Sequence, residues 1–195
     1  MKKVVYAGIR KENNGICIDY TYNYPSDLIY IEKPQLYESV HDNDIYYFGY
    51  RFNPDSSSKD RTEFIHSVKQ IGHDPLSDYE LDQFIKRPLK YLDQKINLYD
   101  IDCMVYPISN RSPLVSKIVR AINDMTSHEM RRCSFEFVKK SPTEIGFDFV
   151  ARLQSSSILV VDDINTTGST LHETLRKLGK INHDCNIYVY TLIGN

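Results

Sequence analysis

The chain has 195 residues, of which 41% are hydrophobic and 26% are charged, and its formal net charge is −2 at pH 7. These values are typical of a globular protein with one full core, and the small charge argues against a dedicated nucleic-acid surface. The four cysteines form no Cys-x-x-Cys pair, so neither a zinc ribbon nor a disulfide framework is indicated. The apolar run at 4–9 is too short for a secretory signal and nothing approaches a membrane span, so we expect a cytoplasmic protein.

The first 52 residues are rich in β-forming side chains and hold nine of the fifteen tyrosines. Asn-Gly, Pro-Ser and Asp-Asn breaks separate four predicted strands, at 4–6, 15–22, 27–31 and 44–52. We interpret the tyrosines as packing residues, with base stacking as the alternative. The polar segment 53–62 is predicted to be a loop or linker.

A capping box formed by Ser77 and Glu80 predicts the start of a helix, and Leu76 with Leu81 supplies its hydrophobic staple. Pro88 should kink this helix or end it at Arg87. We therefore expect two parts in the chain. The first is a β-rich region plus helix over 1–95, serving as a hood or partner surface, and the second is an α/β core over 96–195.

The core begins with a predicted buried strand at 101–106, a polar turn, and a helix that starts at Pro113. A second strand is predicted at 133–138, ending at Lys139 and Lys140. Another capping box, Ser141 to Glu144, precedes an apolar spacing that favours a short helix over 145–153. The last strand is predicted at 186–193.

The segment 157–170 organises the whole chain. It starts with the aliphatic run 158–161, typical of a strand buried on both faces of a parallel sheet, and this run ends in Asp162 and Asp163. A polar turn then leads into a helix with apolar residues at Leu171, Leu175 and Leu178, closed by Gly179. Strand, polar turn and helix in this order predict an α/β fold with a doubly wound, mostly parallel sheet, in which ligands bind at the carboxyl ends of the strands.

The residue types in this turn suit a phosphorylated sugar. The unpaired amides at a helix start attract an anion, and Gly168 permits a backbone conformation in which successive N–H groups converge on it. Asp162 and Asp163 can accept hydrogen bonds from vicinal hydroxyls or hold Mg²⁺ through water. The plain alternative is an ordinary strand-to-helix turn with Ser and Thr caps. Hydroxyls that can donate to the same anion are supplied by Thr166, Thr167, Ser169 and Thr170.

The stretch from Ile158 to Thr170 resembles the phosphoribosyl pyrophosphate motif of type I phosphoribosyltransferases: a hydrophobic strand, two acids, two variable residues, then Thr-Thr-Gly-x-Thr. The resemblance implies that Asp162 and Asp163 bind the ribose diol and that the turn cradles the 5′-phosphate, in the presence of Mg²⁺. The ligand would be 5-phosphoribosyl 1-pyrophosphate (PRPP) or another ribose 5-phosphate. The resemblance further implies that pyrophosphate contacts come from Ser109, Asn110 and Arg111 and from Lys139 or Lys140, although a solvated loop and a solvated lysine pair are the alternatives.

Three features depart from the family pattern. The segment 141–154, where the family carries a mobile catalytic loop, has helical apolar spacing, and no residue that would activate the nucleophile is identifiable. Thr166 stands where purine salvage members often have an acid, which argues against a hypoxanthine or guanine enzyme.

Three hypotheses follow. The first is a phosphoribosyltransferase that acts on a nitrogen nucleophile such as a nucleobase. The second is a non-catalytic sensor or regulator that binds PRPP or a nucleotide. The third and least favoured is a nucleic-acid-associated protein. The sequence predicts no membrane partner and leaves a homodimer open.

Overall fold

The structure is a computed structural model. It describes the backbone of residues 4–12, 15–23, 29–31, 37–38, 45–108, 112–126, 133–139, 145–146, 156–165, 168–179 and 185–194. Side chains are described over 49–107, 112–126, 156–165, 168–178 and 185–194.

The described residues form strands and helices that alternate through the second half of the chain. The strands are β1 Val4–Glu12, β2 Gly15–Asn23, β3 Ile29–Ile31, β4 Tyr37–Glu38, β5 Ile45–Phe52, β6 Cys103–Ile108, β7 Cys133–Lys139, β8 Ile145–Gly146, β9 Ser157–Asn165 and β10 Asn186–Gly194. The helices are α1 Ser58–Val68, α2 Asp78–Asp93, α3 Leu114–Thr126 and α4 Ser169–Gly179, with a 3₁₀ turn at Leu98–Asp100.

The main sheet has a parallel centre with the strand order β5-β10-β9-β6-β7. Short antiparallel strands flank it: β3 and β4 pair with β5, and β8 pairs with β7. Strands β1 and β2 form a separate antiparallel hairpin. The predicted α/β class with a mostly parallel sheet and a β-rich N-terminal region is therefore confirmed.

Helices cover both faces of the sheet, which explains why its central strands are almost continuously apolar. Helices α1, α2 and α3 pack on one face together with Leu159 and Val161 of β9. Helix α4 packs on the opposite face together with Ile158 and Val160. Strand β5 and helices α1 and α2 thus share the sheet and core of the residues after 96. The predicted division of the chain at residue 95 stays a prediction.

Two local predictions were wrong, and of the two alternatives for Pro88, a kink or an end at Arg87, the end is excluded. Residues 58–62 are not a loop, because the hydroxyl of Ser57 accepts a hydrogen bond from the Asp60 amide and starts α1. Helix α2 does not end at Arg87 but continues through Pro88 to Asp93. Residues 145–146 are not helical, because pairing with the edge of β7 makes them strand β8. The remainder of the predicted helix over 145–153 lies outside the described residues.

Gly49 of β5 faces a space that no side chain can enter. A Cβ built on it would lie 2.7 Å from the Tyr190 hydroxyl and 2.8 Å from the Leu192 carbonyl oxygen, with Pro88 Cβ at 3.0 Å. Because one of these atoms is backbone, Gly49→Ala must displace a strand, and overpacking of this kind costs about 1–3 kcal/mol. We expect the melting temperature to fall by roughly 2–12 °C for a chain of this length. Thermal unfolding followed by circular dichroism checks this, and an unchanged melting temperature would show that the space is larger than these distances indicate.

Asp102 joins the start of β6 to the start of β9. Its Oδ2 accepts hydrogen bonds from the Ser156 hydroxyl at 2.6 Å, the Ser156 amide at 2.8 Å and the Ser157 amide at 3.1 Å. These bonds, led by the one from the Ser156 hydroxyl, favour the charged form and lower the pKa of Asp102.

Asp102→Asn should therefore destabilise the protein in a pH-dependent way. A carboxyl group whose pKa is lowered in the folded state stabilises the protein at pH values above its unfolded-state pKa of about 3.9. That stabilisation is lost as the pH falls through the folded-state pKa. We expect a melting temperature roughly 1–4 °C below wild type at pH 7, with the difference shrinking below about pH 4. Melting curves from pH 3 to pH 8 check this, with Asp55→Asn as the exposed control. A difference that grew on acidification would contradict the role assigned to these bonds.

Candidate functional site

The two acids predicted to bind ligand are adjacent residues near the end of β9, and both are largely buried. Asp162 is 8% exposed and Asp163 is 9% exposed. Strand β9 continues beyond them to Asn165, so the strand does not end at the acids as the sequence suggested. Each carboxylate accepts a bond from the next amide: Asp163 N lies 2.8 Å from Asp162 Oδ1, and Ile164 N lies 2.7 Å from Asp163 Oδ1. These local bonds fix the orientation of both carboxylates.

The acids lie on opposite faces of the sheet, because side chains alternate along a strand. Asp163 follows the series Leu159 and Val161, which faces α1, α2 and α3. Asp162 follows the series Ile158 and Val160, which faces α4. The pair therefore straddles the sheet at its carboxyl edge and presents negative charge on both sides of it.

Lys69, directly after α1, forms an ion pair with Asp163. Its Nζ lies 2.7 Å from Asp163 Oδ2, and the two side chains are 26% and 13% exposed. A pair this sheltered from water is screened less than a surface pair. Both oxygens of Asp163 thus have a donor within the described residues: Ile164 N on Oδ1 and Lys69 Nζ on Oδ2.

Gly168 starts α4 in a backbone conformation that favours glycine. Its φ is +74°, in the left-handed region, and its carbonyl accepts the first helical bond from the His172 amide at 2.8 Å. Among the described residues, a Cβ at this position would come closest to Asn165 Oδ1, at 3.7 Å, so the backbone conformation and not a close contact calls for the glycine. Ser169 and Thr170 form the first turn of the helix and are partly exposed. The amides of such a turn have no helical partners and lie at the positive end of the helix dipole.

The sheet changes its direction of winding between β6 and β9. The connection after β6 runs through α3 to β7 on one side, and the connection after β9 runs through α4 to β10 on the other side. Because α3 and α4 cover opposite faces, the carboxyl ends of β6 and β9 are where a sheet of this kind offers a crevice for ligands. Asp162, Asp163 and the start of α4 lie at this switch point.

The structure brings together only part of the predicted site. Asp162, Asp163, Gly168, Ser169 and Thr170 lie along the β9–α4 connection, and Lys139 is the last residue of β7, described for its backbone alone. The roles assigned to all these residues stay predictions. The other predicted site residues, Thr166, Thr167, Ser109, Asn110, Arg111 and Lys140, lie outside the described residues.

Two neighbours of the acid pair were missed by the sequence analysis. Lys69 belongs to no motif, and the segment leading to α1 was predicted to be a loop. Thr191 of β10 is the register partner of Asp162 and is fully buried, and its Oγ1 has no hydrogen-bond partner among the described residues. Alternation along β10 places it on the α4 face with Val189, so it adds a polar group beside Asp162.

Searches for known relatives gave structural likenesses alone. No family model matches the chain, and no curated protein matches it. The structure is similar to xanthine-guanine-hypoxanthine phosphoribosyltransferase from Helicobacter pylori, at 16% identity over 60% of this chain and 73% of that one, with a TM-score of 0.47. It is similar to a purine phosphoribosyltransferase from Pyrococcus horikoshii Ot3, at 16% identity over 62% and 85%, with a TM-score of 0.46. It is also similar to a hypoxanthine phosphoribosyltransferase from Staphylococcus aureus, at 16% identity over 58% of this chain and 65% of that one, with a TM-score of 0.42.

These likenesses concern the fold, and nothing about activity is taken from them. The prediction that Thr166 separates this chain from hypoxanthine and guanine enzymes stays a prediction. Among the described helices, none has the length and apolar character needed to cross a bilayer.

Proposed function

We propose that the chain binds PRPP together with Mg²⁺ and transfers its phosphoribosyl group to a nitrogen nucleophile such as a nucleobase. The observation that supports this best is the position of Asp162 and Asp163. Two largely buried carboxylates lie beside a glycine-started helix at the switch point of a parallel sheet. The predicted cytoplasmic location belongs to the same proposal.

The chemistry of the ligand matches the groups along the β9–α4 connection. Its vicinal ribose hydroxyls are donors, and carboxylates can only accept, so Asp162 and Asp163 are suited to the diol. Its 5′-phosphate is an anion suited to the first turn of α4, with Gly168, Ser169 and Thr170. Thr166 and Thr167 would add hydroxyl donors.

The pyrophosphate needs cations and donors on the other side of the crevice. In the proposal these come from the loop after β6, through Ser109, Asn110 and Arg111, and from the end of β7, through Lys139 or Lys140. The guanidinium of Arg111 can donate two parallel hydrogen bonds to a phosphate.

The acid pair fits a Mg²⁺ that arrives with the ligand. Among the described residues, no group of three or more metal-binding side chains is present. Mg²⁺ keeps several waters and is commonly held by one or two carboxylates plus substrate phosphates, so Asp162 and Asp163 could hold it through water. When bound, the ion would supply positive charge that stabilises the departing pyrophosphate.

In the proposed reaction, the bond from ribose C1 to the pyrophosphate oxygen breaks and the pyrophosphate leaves with the electron pair. The nitrogen of the acceptor forms the new bond to C1 and loses its proton. Asp162 and Asp163 hold the ribose, whose ring gains positive charge in the transition state, and neighbouring carboxylates stabilise that charge. The departing pyrophosphate, which is itself a base, takes up this proton directly or through water.

A non-catalytic sensor of PRPP is the second candidate, favoured by the ion pair that Asp163 already forms with Lys69. One experiment separates the two. PRPP with Mg²⁺ should raise the melting temperature in both cases, since a ligand that binds the native state stabilises it. Release of pyrophosphate over a panel of nitrogen acceptors would identify a transferase. A raised melting temperature without release would identify a sensor, and no change in melting temperature would refute both.

A further inference from the structure

Lys69 lies between the two predicted halves of the ligand site. Its side chain reaches the acid pair, with Nζ 2.7 Å from Asp163 Oδ2. Its backbone reaches the other half, because the Ser112 hydroxyl donates to the Lys69 carbonyl at 3.1 Å. Ser112 directly follows the loop 109–111, which is predicted to bind pyrophosphate. One residue is thus anchored at the end of that loop and directed at the ribose-binding acid.

A network of hydrogen bonds holds the backbone next to Lys69 in an unusual conformation. Gln70 has a φ of +55°, which costs a residue with a side chain about 1 kcal/mol or more and persists where the surroundings enforce it. The Gln70 side chain donates to the Leu76 carbonyl at 2.9 Å and accepts from Lys117 Nζ at 2.8 Å. Lys117 Nζ also lies 2.6 Å from Asp78 Oδ1. This conformation turns the chain sharply after α1 and fixes the position from which Lys69 extends.

The ammonium group of Lys69 has donors to spare. It carries three N–H groups. Among the described residues its contact is Asp163, which uses one of them. The other two can donate to an anion that enters the crevice without breaking the ion pair.

We propose that Lys69 is a ligand-binding residue that donates to the pyrophosphate group while it remains paired with Asp163. This inference rests on the proposed function and adds to it a cation that belongs to neither sequence motif. The same ammonium would reduce the repulsion between Asp163 and the pyrophosphate group. Lys69 would therefore couple the ribose end of the site to its pyrophosphate end.

The test compares two ligands that differ by the pyrophosphate alone. PRPP and ribose 5-phosphate, each with Mg²⁺, are titrated against wild type and Lys69→Gln, and dissociation constants are taken from thermal shift or calorimetry. We expect Lys69→Gln to weaken PRPP binding about 10- to 100-fold, the range for loss of a hydrogen bond between charged groups. Binding of ribose 5-phosphate should stay within about threefold. Lys59→Gln is the matched control, since Lys59 lies on α1, the helix that Lys69 follows, and is 82% exposed, and it should change neither constant.

The outcomes separate this inference from the proposed function. Wild-type protein that does not respond to PRPP overturns both. If the wild type binds PRPP and Lys69→Gln weakens both ligands equally, the role of Lys69 alone is overturned, because the lysine then acts only on Asp163. If Lys69→Gln weakens neither ligand, the same role is overturned, because the lysine then does not act on binding at all. If Lys69→Gln does not fold, lysine acylation of the wild-type protein followed by mass spectrometry decides. PRPP should protect Lys69 more than ribose 5-phosphate does, with Lys59 as the internal reference, and equal protection refutes the proposal.

Discussion

The double variant Asp162→Asn, Asp163→Asn should lose the rise in melting temperature that PRPP with Mg²⁺ produces in the wild-type protein. Ligand at 100 times its dissociation constant stabilises the native state by about 2.7 kcal/mol. For a chain of this length that corresponds to a rise of roughly 5–10 °C. Asparagine removes the negative charge and presents one carbonyl oxygen where the carboxylate presented two, so the diol has fewer acceptors and the metal ion loses its anionic ligands.

The fold should survive this change. The amide bonds from Asp163 N and Ile164 N need only an acceptor oxygen, which asparagine retains. When the asparagine at 163 keeps its oxygen on Ile164 N, its amide nitrogen takes the place of the oxygen that faced Lys69, so Lys69, which is 26% exposed, turns its ammonium group to solvent. Far-ultraviolet circular dichroism should therefore match the wild type.

The control is Asp82→Asn, which removes an exposed carboxylate on α2 that pairs with Lys86 at 2.9 Å. It should retain the full rise with PRPP. A double variant that kept the rise would show that the ligand binds elsewhere, and the site assignment would be wrong. A loss in Asp82→Asn as well would point to a general charge effect.

The sequence predicted the centre of the fold because local signals and burial agree there. The aliphatic run of β9, the glycine before α4 and the apolar spacing of α4 each favour the observed element. The same holds for β6 and α3. Where a strand is buried on both faces, composition alone marks it, and the order of strands and helices then specifies a parallel sheet.

Prediction failed where distant contacts decide the local structure. The serines at 56–58 are typical of a loop, yet one of them caps α1, and capping and loop residues have the same composition. Pro88 is tolerated inside α2, where it is buried in the core. At Ile145 and Gly146 the predicted helix is replaced by pairing with β7, because an open sheet edge supplies hydrogen bonds to the backbone.

The residues of the candidate site also divide into those that could be predicted from the sequence and those that could not. Asp162, Asp163 and Gly168 belong to one continuous motif and could be found from the sequence. Lys69 could not, because its contact with Asp163 joins a helix end to a strand far along the chain. Charged residues are common on helix surfaces. Nothing in the sequence distinguishes Lys69, which caps α1 and contacts a buried acid, from Lys59, which is exposed on the same helix.

The second large effect is expected in the core that supports the site. Phe84 of α2 is fully buried, and its ring stacks on that of Tyr50 with centroids 4.1 Å apart. The Phe64 ring meets it edge-on at 5.8 Å. Phe84 thus joins α1 and α2 to β5. Phe84→Ala should lower the free energy of unfolding by about 3–5 kcal/mol, because it leaves a cavity that rigid neighbours fill only in part.

That loss corresponds to a fall of roughly 6–20 °C in melting temperature, measured by calorimetry or circular dichroism. Phe84→Leu is the graded control, since it keeps much of the apolar volume and should cost about half as much or less. Tyr50→Phe separates the rings from the hydrogen bond. It retains the stacking and removes the bond from the Tyr50 hydroxyl to the Phe84 carbonyl, 2.9 Å long, so it should cost only about 1 kcal/mol. If Tyr50→Phe proved as costly as Phe84→Ala, the hydrogen bond and not the aromatic packing would hold α2 on the sheet.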